Sequence, residues 1–339
     1  MVRGYKLPES KTEDIIVANQ LGKELDFLKS RQIDFDTGKA NDFQFEIDYK
    51  DWDQEKYAYN NRIFIPDTEY GGFITKYESS TASKIVKVNG ITWRGLLEKK
   101  VITPPNGMLH KEVSGDLNQI LKELIEKEFD GLYVVPNVAT GVVVNNWEID
   151  RFDTLLHAVN KLLEAHNYKL SMKYKQPEET YGYIEVEAVQ IVDYSEIIEF
   201  SEDYQKVTLI VEDSRESINH LVCIGSGEET ERNVLHLYTN EDGSIGNVQV
   251  YKGYLERAEI YEYNNASLEE LEQGGRKRLQ ELQGKKKCRI NIEGMLLELG
   301  DYVAGYDFIT NTYVKKAIAG VIYQIEDGES KITYNVEGE

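Results

Sequence analysis

Histidine can serve near neutral pH both as a metal ligand and as a general base, and this chain contains five. They are His110, His157, His166, His220 and His236. His157 and His166 fall in one predicted helix, but two metal ligands on one helix face need a spacing of about four residues, and these two are further apart. None of the five lies in a zinc-peptidase motif. We therefore expect each to be a packed or surface histidine.

The segment Gly225-Ser226-Gly227 could mark a phosphate-binding loop or the turn that carries a nucleophilic serine. The first would need Lys followed by Ser or Thr, which is missing here. The second needs Gly-x-Ser-x-Gly, whereas Gly225 adjoins the serine directly. The pattern favours a turn at the end of a strand. The acidic turn Glu241-Asp242-Gly243 likewise lacks the residue spacing of a calcium loop.

Carboxylates are so numerous that chance pairs are expected. The chain has 60 Asp and Glu against 39 Lys and Arg, a formal net charge of −21. Counting therefore gives no support for a glycosidase, whose two carboxylates need a defined separation. The charge argues against a general nucleic-acid binder, which needs a cationic surface, but it is compatible with DNA that slides past without adhering. The sequence predicts no catalytic, cofactor-binding or metal-binding residue, and no cofactor.

Two basic clusters interrupt the acidity, Arg276-Lys277-Arg278 in a predicted helix and Lys285-Lys286-Lys287 just after it. Cations near a helix C-terminus are favoured by the helix dipole, which explains the second cluster without any partner. The alternative is a docking patch for an acidic neighbouring subunit.

Composition sets further bounds. Tyr occurs 23 times, which favours a β-rich chain that contacts partners, although sugar-binding surfaces use the same residue. Cys223 and Cys288 are too few for a disulfide scaffold and are expected to be reduced, buried thiols.

No run approaches the roughly 20 apolar residues of a membrane helix. The N-terminus lacks the apolar core of a signal peptide. We expect synthesis in the cytoplasm without membrane insertion.

Residues 1–98 are predicted to be almost entirely β, as a small barrel or sandwich. The predicted strands are Asp14–Gln20, Phe43–Tyr49, Arg62–Ile65, Phe73–Tyr77 and Lys84–Trp93. Apolar Phe43, Phe45 and Ile47 alternate with polar residues, as in a strand with one buried face. After Trp93 a short helical turn is predicted, which Pro104-Pro105 prevents from continuing.

The middle of the chain, residues 99–199, is predicted to be α+β. Leu117, Ile120, Leu121, Leu124 and Ile125 have helical spacing, with Ser114 or Asp116 as the N-cap. A second helix is predicted over Leu155–Leu163. Short apolar runs predict the strands of this segment, at 133–135, 141–144, 169–174 and 183–192.

Beyond residue 200 the pattern returns to β. The predicted strands are Val207–Val211, His220–Ile224, Val234–Tyr238, Cys288–Ile292, Tyr302–Ala304, Val314–Ile325 and Lys331–Val336, the last pair turning at Asp327-Gly328. A third helix is predicted from a capping box of Ser267 and Glu270 to Gly284.

Three stretches resemble the siphovirus and prophage tail proteins of the baseplate-hub type. They are GGFITKYESSTASKIVKVNGITWRGLLEKKVITPP (71–105), VLHLYTNEDGSIGNVQVYKGYLERAEIYEY (234–263) and GDYVAGYDFITNTYVKKAIAGVIYQIEDGESKITYNVEG (300–338). The first is similar to the glycine-rich strand pair and TWRGLL turn that close the family's N-terminal domain. These motifs are structural, and no catalytic motif accompanies them.

The resemblance implies an α+β, multidomain fold of the phage baseplate-hub kind, with two small β-barrel-like tube domains flanking a mixed α+β middle domain. The first tube domain would span residues 1–98 and the middle domain 99–199. The second tube domain would combine 200–225 with 286–339. Residues 226–285 would form an insertion with β-strands and one helix.

The implied function is a structural hub at the virion tail tip, with no enzyme activity. A homotrimer whose subunits each offer two similar β-domains can adapt a sixfold tail tube or distal tail protein to a threefold tip, and it would form part of the DNA channel. Its implied partners are the distal tail protein or tail tube subunits, the tape-measure protein, and tip or receptor-binding proteins used in host cell attachment. Two alternatives stay open: a tail-associated lysin that cleaves peptide or glycan, and a cell-surface carbohydrate-binding module suggested by the tyrosine content.

Overall fold

The computed structural model describes residues 14–30, 32–177, 180–195, 207–213, 217–228, 231–283, 286–292, 297–307, 309, 311–326 and 328–336. These residues are mostly β-strand, arranged in several sheets, and their strands form no closed barrel. The chain divides into two compact units, Met1–Leu209 with Arg289–Glu337, and Ile210–Cys288 with Gly338–Glu339. No described helix has the length and apolar character that a membrane span requires.

The elements follow one another along the chain as three groups. The first group comprises β1 (Ile16–Ala18), β2 (Glu24–Phe27), β3 (Gln32–Thr37), β4 (Asp42–Asp48), β5 (Arg62–Phe64), β6 (Gly71–Ser80), β7 (Ile85–Thr92) and α1 (Trp93–Glu98). The second comprises β8 (Lys111–Asp116), α2 (Leu117–Leu124), β9 (Tyr133–Val134), β10 (Val143–Ile149), α3 (Leu155–Glu164), β11 (Tyr168–Lys175) and β12 (Tyr183–Gln190). The third comprises β13 (Val207–Asp213), β14 (His220–Ile224), β15 (Val234–Thr239), β16 (Ile245–Gly246), β17 (Ala258–Glu262), α4 (Leu268–Leu282), β18 (Lys286–Ile292), β19 (Tyr302–Asp307), β20 (Thr312–Glu326) and β21 (Glu329–Val336).

A ten-stranded sheet dominates the first unit. Its order is β19-β20-β3-β4-β7-β6-β5-β1-β2, and β21 pairs with β20. One face is apolar because buried side chains recur at every second position, as with Phe43, Phe45 and Ile47 on β4. Close packing on this face excludes a side chain at position 90, where a Cβ would lie 2.0 Å from Cζ of Phe43. The alternation predicted for β4 is confirmed.

The strand pairing in this sheet differs from the expected division into two separate end domains. The closing strand β20 pairs with β3, with Val321 opposite Thr37 and Ile325 opposite Ile33, so strands from both ends of the chain share one sheet. The prediction of barrel-like end domains is wrong for this sheet, because the described strands leave it open between β2 and β19. The segment His220–Ile224, expected with the closing strands, pairs instead with β15 and β17.

A second core lies around α1, α2 and α3. Trp93, at the start of α1, is 1% exposed and stacks on Tyr174 at 5.3 Å. Asp116 and Gln119 form a capping box at the start of α2, and Thr154 caps α3, so both predicted helices are confirmed. These helices pack with the sheets β10-β8 and β11-β12-β9.

The second unit is a four-stranded sheet, ordered β16-β15-β14-β17, with α4 on one face. Leu271 and Leu279 of α4 are fully buried in one cluster with Leu221, Cys223 and Leu237 of the sheet. The capping box of Ser267 and Glu270 is present as predicted. The backbones of β13 and β18 form a separate two-stranded sheet.

Candidate functional site

Polar side chains of the large sheet's central strands lie on the side opposite the buried phenylalanines. We call this side the polar sheet face and define it as Asp34, Asp36, Asp42, Gln44, Asn89 and Gln324. Each of these residues alternates in sequence with buried neighbours of β3, β4, β7 or β20. Pairing between strands sets them side by side in rows, which no single strand could do.

Two rows can be followed across the strands. In the first row, Gln324 is opposite Asp34, Asp34 is opposite Gln44, and Gln44 is opposite Asn89. Nδ2 of Asn89 donates a hydrogen bond to Oε1 of Gln44 at 3.0 Å. In the second row, Asp36 lies directly opposite Asp42. Like charges in this position repel each other and destabilise the pairing.

The electrostatics of the polar sheet face are those of crowded carboxylates. Partial burial raises the pKa of Asp34, and the charges of Asp42 and Asp36 raise it further. Partial burial, followed by repulsion from Asp36, also raises the pKa of Asp42. At the neighbouring row the charge is balanced, since Lys87 Nζ lies 3.2 Å from Glu46 Oε1. The excess negative charge is therefore concentrated at the three aspartates.

The TWRGLL turn serves a structural purpose. Arg94 is 5% exposed, and its Nε and Nη2 donate to the two carboxylate oxygens of Glu69, each at 2.9 Å. Nη2 also donates to the Leu170 carbonyl oxygen at 2.6 Å. Burial acts to lower the pKa of Arg94, but Glu69 outweighs it and the pKa lies above its usual value. These bonds fix the start of α1, just after β7, against the residue Glu69 before β6 and against β11.

The histidines of the middle segment do not gather into a catalytic cleft. His157 is exposed on α3, with Nδ1 2.7 Å from Asp153 Oδ2. His166 has Nδ1 2.8 Å from the Leu162 carbonyl oxygen, and its ring packs edge-on against Trp147. The expectation of surface or packed histidine is confirmed for both. His110 differs, because its Nδ1 is buried without a hydrogen-bond partner among the described residues.

The second unit contains a histidine pair that the sequence did not predict. Nε2 of His220 lies 2.8 Å from Nδ1 of His236, and Nδ1 of His220 lies 2.5 Å from Oε1 of Glu256. The hairpin register, with Val222 opposite His236, is the signal that could have revealed it. Within the described part of the chain, no group of three or more His, Cys, Asp or Glu converges on a metal position.

The serine segment is a turn, as predicted. β14 ends at Ile224, and Gly227 has a φ of +119° that favours glycine. The Ser226 hydroxyl oxygen accepts a hydrogen bond from Nδ2 of Asn233 at 3.2 Å. No described histidine or carboxylate hydrogen-bonds to this hydroxyl.

Among the described residues, two arginines of the first basic cluster pair with carboxylates, and Cys223 is buried. On α4, Arg276 pairs with Glu272 at 2.7 Å and Arg278 with Glu259 at 3.1 Å. Burial raises the pKa of the Cys223 thiol to about 11, which suppresses the reactive thiolate. Lys285 and the side chains of Lys286, Lys287 and Cys288 lie outside the described residues, as does Asp327 of the predicted hairpin turn.

No model of a known protein family and no curated protein matches the chain. Three solved structures are similar to it over nearly all of both chains. A tail protein from Neisseria meningitidis has 14% identity and a TM-score of 0.45, over 96% of this chain and 97% of that one. The 43 kDa tail protein of prophage MuSo2 from Shewanella oneidensis has 14% identity and a TM-score of 0.48, over 96% and 98%. A prophage tail protein from Listeria monocytogenes has 11% identity and a TM-score of 0.46, over 96% and 95%. Such low values assign this chain neither a fold nor a function.

Proposed function

We propose that this chain is a structural protein of a phage or prophage tail, and specifically the baseplate hub at the tail tip. The observation that carries the proposal is the polar sheet face, a row-built acidic surface on the outer side of an apolar, well-packed sheet. The TWRGLL turn and the other stretches that resemble hub proteins support the same assignment from the sequence.

The polar sheet face suits the wall of a DNA channel. DNA carries a dense row of phosphates, and a wall that holds DNA by cation contacts would slow its passage. A wall of carboxylates and amides repels the phosphates and offers few tight contacts. The three aspartates supply the repulsion, and the overall charge of −21 extends it beyond this face. DNA would pass the hub without being bound.

The proposed assembly is a homotrimer. A threefold ring can match a sixfold tail tube or distal tail protein when each subunit contributes two similar β-surfaces. In this chain the strands of residues 1–98 and the closing strands belong to one sheet, joined where β20 pairs with β3, and we assign the two surfaces to the parts of that sheet on either side of this junction. The ring would contact the tape-measure protein and the tip or receptor-binding proteins, and its role would be non-enzymatic.

Electron microscopy of the purified chain at high concentration, after mild chemical cross-linking, tests this proposal. We expect a threefold particle with a central channel whose wall is formed by the polar sheet face. Native mass spectrometry of the same sample should give the mass of a trimer. A reconstruction in which Asp34, Asp36 and Asp42 lie on the outer surface would refute the channel assignment, and particles without a threefold axis would refute the hub.

A further inference from the structure

The open face of the four-stranded sheet carries two histidines whose ring nitrogens converge. His220 alternates with Leu221, and His236 alternates with Leu237, so both lie on the face opposite α4. Nε2 of His220 and Nδ1 of His236 are 2.8 Å apart. His220 is 9% exposed, whereas His236 is exposed to solvent. An ion can therefore reach the pair from the His236 side.

Glu256 fixes the ring of His220. Its Oε1 lies 2.5 Å from Nδ1 of His220, and the ring of Tyr238 stacks on His220 with centroids 4.5 Å apart. A histidine that ligates a metal usually donates its other ring N–H to a carboxylate, which fixes the tautomer and raises the basicity of the ligating nitrogen. Here the carboxylate holds Nδ1, so the nitrogen left with a lone pair is Nε2, which faces His236.

We propose that Nε2 of His220 and Nδ1 of His236 bind a divalent transition-metal ion of the copper, nickel and zinc group, with Glu256 as the orienting carboxylate. Imidazole nitrogen suits these ions, whereas calcium and magnesium prefer oxygen ligands. His236 then carries its ring proton on Nε2 instead of Nδ1, so Nδ1 presents a lone pair to the ion and each ring keeps one N–H. No electron transfer is involved.

The geometry needs only a small adjustment. At a metal–nitrogen distance of about 2.1 Å, two tetrahedral ligands lie roughly 3.4 Å apart, so the rings must separate by about 0.6 Å. The exposed side chain of His236 can make this movement by rotating. The described residues bring no third His, Cys, Asp or Glu to the site. Water completes the coordination, which makes this a two-ligand site of moderate affinity.

Isothermal titration calorimetry on the untagged full-length chain tests the site, with copper(II), nickel(II) and zinc(II) chlorides used separately. We expect one equivalent to bind, with copper the tightest of the three. The copper complex should show coupling to two nitrogens in its electron paramagnetic resonance spectrum.

Matched variants separate this site from chance binding. His236→Gln removes an exposed ligand and should weaken binding at least about tenfold, and Glu256→Gln should weaken it by about 10- to 100-fold while both ligands remain. His157→Gln is the control, because His157 is exposed on α3 and also pairs with a carboxylate. Circular dichroism verifies that each variant is folded. Loss of affinity in the first two variants but not in the control supports the site.

Three outcomes overturn it. One is that none of the three metals binds. Another is that His236→Gln binds as tightly as the parent. The last is an adventitious ion only, recognised by an equal loss of affinity in the control variant.

Discussion

The pair of Lys169 and Asp301 gives the sharpest test of how the end of the chain is fixed to the middle segment. Nζ of Lys169 lies 2.6 Å from Oδ1 of Asp301, and the two side chains are 6% and 2% exposed. The same aspartate accepts the backbone N–H of Val192 at 2.9 Å and that of Glu298 at 3.2 Å. Removing one partner of a buried ion pair leaves a charge without compensation and costs about 3 to 5 kcal/mol.

The structure places Asp301→Asn near the lower end of that range. The Glu298 side chain, 59% exposed, remains 2.8 Å from Lys169 Nζ and keeps part of its compensation. The asparagine oxygen can still accept one of the two backbone N–H groups. Lys169→Met should cost about 3 kcal/mol or more, because it leaves a carboxylate buried. The double variant removes both charges together and should be less destabilised than the sum of the two single variants.

Urea unfolding followed by tryptophan fluorescence measures these free energies. Trp52, Trp93 and Trp147 are the chain's three tryptophans, and all lie in the first unit, as do Lys169 and Asp301. The signal therefore reports the unit that contains the pair. A coupling energy of about 1 to 3 kcal/mol is expected from the double-mutant cycle. Additive losses within about 0.5 kcal/mol would refute the reasoning, because they would mean that the two charges do not compensate each other.

Three further predictions concern other parts of the fold. Gly90→Ala should destabilise the first unit by about 1 to 3 kcal/mol, because the new Cβ would lie 2.0 Å from Phe43. The control is Gly320→Ala in the same sheet, whose Cβ would have no neighbour nearer than 3.4 Å. Equal losses of unfolding free energy for the two variants in urea would contradict the predicted clash. Asp34→Asn should stabilise the first unit at neutral pH. The pKa of Asp34 is raised in the folded state, so at pH values above it the ionised carboxylate lowers the free energy of unfolding, and the amide removes this loss. The stabilisation should shrink as the pH falls through the folded-state pKa of Asp34. A stabilisation that grows in acid would contradict this prediction. Ser267→Ala should lower the stability of α4 by about 1 kcal/mol, because it removes the N-cap of the helix. Amide hydrogen exchange should become faster in the first turn of that helix alone. Unchanged exchange there would show that the cap contributes nothing.

Local elements were predictable where one face is buried or a cap is present. The strand β14 has the predicted bounds, His220–Ile224, and each helix begins at or within one residue of a predicted cap or apolar residue. The edge strand β2 was missed: Leu25 and Phe27 alternate with Glu24 and Asp26, but all four residues are exposed, so the alternation marks no buried face. In β3, by contrast, Ile33 and Phe35 alternate with aspartates, and this pattern would have revealed the strand.

Sheet membership was not predictable from the same patterns. β20 meets β3, and β14 meets β17 in parallel, across long stretches of intervening chain. Alternation says which side chains are buried but not which strand lies alongside, because pairing partners are chosen by tertiary packing. Both candidate sites depend on such pairing. The polar sheet face needs four strands in order, and the histidine pair needs the register between β14 and β15.

The three aspartates of the polar sheet face are placed where they oppose folding, and this bears on the proposed function. Asp36 lies directly opposite Asp42, and Asp34 is partly buried beside both. The row that contains Asp34 also carries the neutral amides Gln44 and Asn89, joined by a hydrogen bond, so uncharged polar residues fit this row without repulsion. Local rules of sheet stability are broken most often at functional sites, where the loss is offset elsewhere. A wall that must repel phosphate requires ionised carboxylates, and the pKa values of Asp34 and Asp42 are raised first by partial burial and then by the charges of neighbouring aspartates. If the channel proposal is right, replacing all three aspartates with asparagine should yield a more stable protein whose assembled ring retards DNA.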